Sequence, residues 1–180
     1  MAAKPAAPHF SIRPRRSEDD DALLRIENRA AGLFREHGYA SVADAPFATV
    51  ADFRAMLAGH EAWVAVLNSG ELVGYAVAGP LAGFLHLREL SVDPAHGRRG
   101  IGTALVGHVI DVAARGLYPG VTLTTFRDVP FNAPFYARLG FGELALEAAA
   151  GELRAAFHRE VPEGVDPARR VLMWRRSDLA

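Results

Sequence analysis

Apolar and polar positions along the chain fall into segments of two periods. Residues 10–13 alternate, which predicts a short strand ending at Pro14. Leu23, Leu24, Ile26, Ala30 and Leu33 recur at helical spacing over about residues 17–36, where Ser17 with Asp20 supplies a capped start and His37-Gly38 a stop. Residues 39–48 read as a loop, and a second helix is expected over about residues 50–57, before Gly59. Two apolar runs, 63–67 and 72–78, flank Asn68-Ser69-Gly70, a turn with hairpin chemistry, and residues 84–92 extend the meander by a third strand. A helix over 102–114 leads to the β-branched run 121–126, predicted as a buried strand parallel to 84–92 through a right-handed crossover. Asn132 can cap a helix around Tyr136 that Gly140 ends, with Pro134 tolerated in its first turn. Residues 141–146 and 170–174 read as final strands, with helix expected within 146–157. The whole is an α/β domain around a mixed, mostly antiparallel sheet flanked by helices.

One stretch carries chemistry as well as pattern. Residues 85–106, LHLRELSVDPAHGRRGIGTALV, run an extended segment into an Arg- and Gly-rich loop and straight into an apolar helix. If Gly100 and Gly102 open that helix, its unpaired N–H groups and positive dipole end face the loop, where Arg98 and Arg99 add two charges. Such a site takes a phosphorylated ligand, and a pyrophosphate fits it. A P-loop requires Lys with Ser or Thr after its second glycine, and the only lysine is Lys4. A dinucleotide fingerprint requires a third glycine where Leu105 stands.

The remaining pattern is a hydrophobic strand ending Val-Asp-Pro, then x-x-x-R-R-G-x-G and an apolar helix. It resembles the acetyl-coenzyme A loop of the GCN5-related N-acetyltransferase (GNAT) family. Residues 132–141, NAPFYARLGF, resemble the family's other signature, a short helix carrying a Tyr and closing on Leu-Gly-Phe. The resemblance covers roughly residues 10–141 in element order. Two positions depart from the pattern: Gly97 stands where the loop usually starts with Gln or Arg, and Val129 replaces the Asn commonly found seven residues before the Tyr. The resemblance implies a single GNAT-like domain over residues 10–180 behind a flexible tail, residues 1–9, with a parallel, splayed strand pair at the cofactor site. It further implies acetyl-CoA as co-substrate, held by Arg98, Arg99, Gly100, Ile101, Gly102 and Thr103 together with Leu90, Ser91, Val92, Asn132 and Phe135. Backbone N–H groups of residues 90–92 would polarise the carbonyl, and the acetyl group would pass directly to an amine.

That transfer also needs an acid for the leaving thiolate and a base for the amine. Tyr136 occupies the family's Tyr position; with an ordinary pKa of about 10 against roughly 8.5 for a thiol, a phenol can protonate a departing thiolate. The alternative is a ring packed in the core beside Phe135 and Phe141. For the base, His86 has a suitable ordinary pKa, and Glu89 is well placed if a bulge resets the strand's alternation. An unbroken strand puts His86, Arg88 and Leu90 on one face and Leu87, Glu89 and Ser91 on the other. Either candidate could instead be structural, with a water chain as base. Tyr39, Phe126, Arg127, Asp128 and Phe131 either line the acceptor side or serve loop packing and solvated charge. The remaining histidines lack metal-ligand spacing, and Ser91 lacks a GxSxG elbow, so neither a metal nor a hydrolase triad is expected.

Composition narrows the partners. A chain of 180 residues suits one domain, burying roughly 70% of its unfolded surface. Without cysteine there is no disulfide, thiol nucleophile or Cys-based zinc site. A net charge of −1 argues against nucleic acid and acidic membranes, and nineteen arginines against one lysine, amid abundant Ala, read as codon bias. With neither a signal-peptide core nor an apolar run of about eighteen residues, a cytoplasmic protein is expected. The expected partner is a small-molecule or peptide amine, and a homodimer is allowed. A non-catalytic acyl-CoA-binding or regulatory domain is the alternative, and a nucleotide-binding module using the same loop is a second.

Overall fold

The computed structural model describes residues 9–177; the tail expected at residues 1–9 lies, but for His9, outside them. Strand β1 (Phe10–Pro14) leads through a 3-10 turn, Ser17–Asp19, into α1 (Asp20–Ala31). The turn is held by Asp19, not by Ser17 with Asp20: an Asp19 oxygen accepts the Arg16 N–H at 2.7 Å, and the same carboxylate pairs with Arg13. Asp20 is fully buried and serves a different end, bridging Arg15 at 2.6 Å and Arg54 at 2.5 Å. The helix expected to reach Glu36 gives way at Gly32 to a 3-10 segment, Gly32–His37, closed by Gly38. Glycine weakens a helix interior by about 1 kcal/mol relative to Ala, and the tighter turn brings Phe34 against Phe126 and Phe131.

The expected loop at 39–48 contains a one-turn helix, α2 (Ala40–Ala43), before α3 (Val50–Leu57). Thr49 and Asp52 cap α3 reciprocally. Strands β2 (Glu61–Leu67), β3 (Leu72–Leu81) and β4 (Phe84–Val92) form the antiparallel meander, followed by α4 (Ile101–Arg115), β5 (Gly120–Phe126) and α5 (Ala133–Arg138). The strand expected at 141–146 shrinks to β6 (Gly142–Glu143), because Leu146 already enters a 3-10 turn; α6 (Gly151–Arg159) and β7 (Arg170–Arg176) follow. The seven strands lie in the order β1-β2-β3-β4-β5-β7-β6, with β4 and β5 parallel.

Helices cover both faces. On one, Leu105, Val106 and Val109 of α4 pack with Val73, Ala76, Leu85 and Leu87. On the other, Leu23 and Ile26 of α1 and Phe53 and Leu57 of α3 pack with Val64, Tyr75 and Val77, while α6 sets Leu153 and Phe157 against Leu172. Strands β5 and β7 approach so closely at Gly120 that a Cβ there would sit 2.4 Å from the Arg175 carbonyl oxygen.

The decisive irregularity is in β4. Its pairing with β3 steps from Ala78↔Leu87 to Val77↔Glu89, so Arg88 is one residue in excess. Leu85 and Leu87 belong to the α4 side, and beyond the bulge Leu90 and Val92 do. Glu89 and Ser91, which an unbroken strand would group with Leu87, therefore join His86 on the opposite face. A bulge bends its strand. The ladder to β5 runs Leu85↔Val121, His86↔Thr122, Leu87↔Leu123 and stops there; beyond it the two strands part.

Candidate active site

The parting strands enclose a cavity of about 980 Å³. From the α4 side it is lined by the loop and first turn of α4 and by Asn132, Phe135 and Tyr136; from the α1 side by Glu27, Phe34, Phe126, Phe131, Glu160 and Arg170. Glu89 and Ser91 of β4 lie between.

The loop is anchored before it reaches the cavity. Asp93 accepts the Ala95 N–H at 3.0 Å, shaping the turn Pro94–His96, and pairs with Arg29 of α1 at 2.5 Å. Backbone at Arg98 and Gly100 is left-handed, with φ of 62° and 81°. For Arg98 that conformation costs on the order of 1 kcal/mol or more, strain of the kind held at ligand sites. Gly100 adopts it freely and stands at the N-cap of fifteen-residue α4 without a side-chain cap, so the first N–H groups remain available. A Cβ on Gly100 would meet nothing within 4 Å, and one on Gly102 would only touch Phe135 and Val92 at 3.5 and 3.7 Å. An open cradle at a positive helix end, with Arg98 on its wall, fits a phosphate-bearing group. Of the expected binding residues, Leu90, Ser91, Val92, Arg98, Gly100, Ile101, Gly102, Thr103, Asn132 and Phe135 line the cavity. Arg99 does not; its guanidinium leans on His96 at 3.5 Å.

Asn132 sits at the start of α5 but does not cap it. Its Nδ2 donates to Thr125 Oγ1 at 2.8 Å, and its buried Oδ1 has no partner among the described residues. The Tyr136 ring packs between Phe135 and Phe141, at centroid distances of 5.1 and 5.7 Å, and the residue also lines the cavity. Its hydroxyl makes no hydrogen bond to a described residue. Burial, reinforced by the charge of Glu89, raises its pKa above the ordinary phenol value.

Glu89 accepts the Leu90 N–H at 3.1 Å, and its pKa is pushed up to about 8, first by burial and then by neighbouring Glu27. Glu27, on α1, accepts hydrogen bonds from the hydroxyls of Ser91 and Tyr75, both at 2.5 Å; burial outweighs them and raises its pKa too. His86 is buried away from the lining. Its Nδ1 lies 2.9 Å from Thr122 Oγ1 and its Nε2 3.2 Å from Glu160. Burial alone would raise Glu160, but His86, Thr124 and Arg88 outweigh it and hold the carboxyl below its ordinary value.

Phe126 and Phe131 line the cavity; Tyr39, Arg127 and Asp128 do not. Tyr39 donates to Asp128 at 2.7 Å, Asp128 pairs with Arg169, and Arg127 pairs with Glu143 at 2.8 Å, so these three hold loops together. Glu27, Glu160 and Arg170 escape a reading of the sequence. Glu27 follows Ile26 on a helix whose Asp21, Arg25 and Arg29 are exposed, and the segments carrying Glu160 and Arg170 bear no motif. Among the described residues no group of three or more His, Asp or Glu is placed to hold a metal ion, and no helix is long and apolar enough to cross a membrane.

Known proteins share this architecture. The ribosomal-protein-S18-alanine N-acetyltransferase of Escherichia coli is 20% identical, with a TM-score of 0.69 and 96% of each chain covered. The PaiA N-acetyltransferase of Thermoplasma acidophilum, solved with coenzyme A, is 14% identical, with a TM-score of 0.66 over 93% of this chain and 99% of that one. A GNAT family acetyltransferase of Brucella melitensis, in complex with acetyl-CoA, is 26% identical, with a TM-score of 0.56 over 74% of this chain and 83% of that one. The sequence itself matches the acetyltransferase (GNAT) family over residues 23–141, a span that takes in the glycine loop, the bulged strand and the Tyr136 helix, and on that match the chain belongs to this family.

Proposed function

We propose that the protein is an acetyl-CoA-dependent N-acetyltransferase that moves the acetyl group directly to a primary amine. The observation that carries this reading is the meeting of Glu89 and Tyr136 in one cleft beside the open N-terminus of α4. Acetyl-CoA supplies, when bound, a thioester whose acyl carbon is open to attack. The first N–H groups of α4, with Arg98, take its pyrophosphate, and N–H groups of residues 90–92 draw charge onto the acyl oxygen, the Leu90 N–H turning to it from the Glu89 carboxyl. Glu89, as carboxylate, removes a proton from the acceptor ammonium, so that nitrogen can form the C–N bond as the C–S bond breaks. Tyr136 gives its hydroxyl proton to the departing sulfur, the acylated nitrogen sheds its second proton to water, and Tyr136 is reprotonated from solvent, to which Glu89 also returns its proton. The products are the N-acetylated amine and the free thiol of CoA. His86 does not reach the cavity and in this scheme positions Glu160.

A panel of amines incubated with acetyl-CoA, read by release of free thiol, tests the assignment. CoA binding with no thiol release from any amine would replace it by a non-catalytic acyl-CoA-binding domain, and ATP or NAD displacing CoA would replace it by a nucleotide-binding module. In parallel, calorimetry should show CoA binding lost in Gly102→Leu, whose side chain obstructs the cradle, and weakened in Arg98→Ala in a salt-dependent way. Unchanged affinity in the Gly102 variant would move the pyrophosphate elsewhere.

A further inference from the structure

Arg170 is the one buried arginine in the cleft, and it forms no ion pair among the described residues. It is nine-tenths buried and lines the cavity from β7. Among the described residues its hydrogen bonding is limited to Nη2 donating to Thr124 Oγ1 at 2.9 Å, and its buried Nε has no partner. The guanidinium lies over the Phe126 ring, 4.6 Å from its centroid, a contact that orients a cation without neutralising it. The nearby carboxylates are otherwise engaged. Glu160 is committed to His86, to Thr124 at 2.5 Å and to Arg88 at 3.6 Å. Glu89, with a pKa of about 8, carries a proton at neutral pH. A buried cation in so dry a setting is costly unless paired, and an Arg fork matches a carboxylate in shape as well as charge.

The walls around it add a second requirement. Phe126, which carries the guanidinium, continues into Phe34 at 5.1 Å, and Phe34 into Phe131 at 5.2 Å. Charge therefore meets an aromatic surface on the acceptor side of Glu89. Resting on the reading of the cleft as an amine-acetylating site, we infer that Arg170 receives a carboxylate of the acceptor, and that the acceptor is an amino acid with an apolar side chain. The amine then faces Glu89, the carboxylate faces Arg170, and the side chain lies along Phe34, Phe126 and Phe131.

Phenylalanine and 2-phenylethylamine form the test pair, since they differ by the carboxylate alone. The wild-type protein should acetylate phenylalanine with the higher kcat/KM. In Arg170→Met the ratio of the two kcat/KM values should fall by roughly 10- to 100-fold, the range for losing a charge-assisted hydrogen bond, and Arg170→Lys should fall between. CoA binding by calorimetry verifies that each variant is folded. Binding of phenylalanine, measured by calorimetry, is the second arm: it should be present in the wild type and lost in Arg170→Met. An equal loss on both amines would overturn the inference and make Arg170 a partner of Glu89. So would wild-type preference for the carboxylate-free amine, or phenylalanine binding that is absent from the wild type or survives in Arg170→Met. Arg170-dependent phenylalanine binding without thiol release would uphold the carboxylate site while refuting the transferase.

Discussion

Glu89 works as a base only if it can lose its proton, and its surroundings delay that loss to about pH 8. The expected profile follows from the sign: below that pH the carboxyl is neutral and cannot accept a proton, so kcat/KM should climb through it as the anion fills. Glu89→Gln keeps the shape and should erase that lower limb, whereas His86→Gln should be milder and keep it. A profile lost in the His86 variant and kept in the Glu89 variant would reverse the roles. Glu27→Gln removes one of the three influences that raise Glu89, after burial and ahead of Glu160, and should shift the limb to lower pH. Tyr136 divides differently, because its ring packs against Phe135 and Phe141 while the proposed chemistry belongs to its hydroxyl alone. Tyr136→Phe should lower kcat by roughly 10²-fold, the loss of general acid catalysis, while CoA affinity measured by calorimetry holds. Wild-type turnover in that variant would leave the residue a core aromatic.

Elements differ in how far local sequence determines them, and the site inherits the difference. Strand β4 and helix α3 occupy the residues that their patterns predict, 84–92 and 50–57, because punctuating residues bracket them: Gly83 and Pro94 around the strand, Thr49 and Gly59 around the helix. The caps are less legible: Asn132 has the residue type for one, yet its amide bonds across to Thr125 of β5. The glycine loop and the Tyr136 helix are local motifs and can be read directly. Glu27, Glu160 and Arg170 reach the same cavity from positions far apart in the chain, and no short-range pattern brings them together. Close strand packing is equally hidden, as at Gly120. Gly120→Ala places a carbon against the Arg175 carbonyl and should cost about 1–3 kcal/mol, as overpacking does. Urea denaturation would measure it, and an unchanged midpoint would mean that β7 can retreat freely.

The molecule as a whole is tied at Asp20, which joins the end of β1 through Arg15 and α3 through Arg54 to the start of α1. Burial pushes its pKa up, but the two guanidinium groups outweigh that and hold it below the ordinary carboxylate value. Its contribution to stability is therefore complete above the unfolded carboxylate pKa, about 4, and is lost as pH falls through the lower folded value. Asp20→Asn should lower stability at pH 7 by about 1–3 kcal/mol, with the gap to wild type narrowing in acid; a gap that stays constant with pH would remove the charge from the explanation. The cleft answers to a different variable, chain length. Because Arg88 is surplus between β3 and β4, deleting it would leave every neighbour on its present face, with Leu90 still toward α4 and Glu89 still toward α1. The two hairpin arms would then match in count, the bend would straighten, and β4 could zip onward along β5. Room for a substrate is thus stored as an arithmetic mismatch between two strands: no side chain at position 88 encodes it, and one lost codon could close it while sparing the fold.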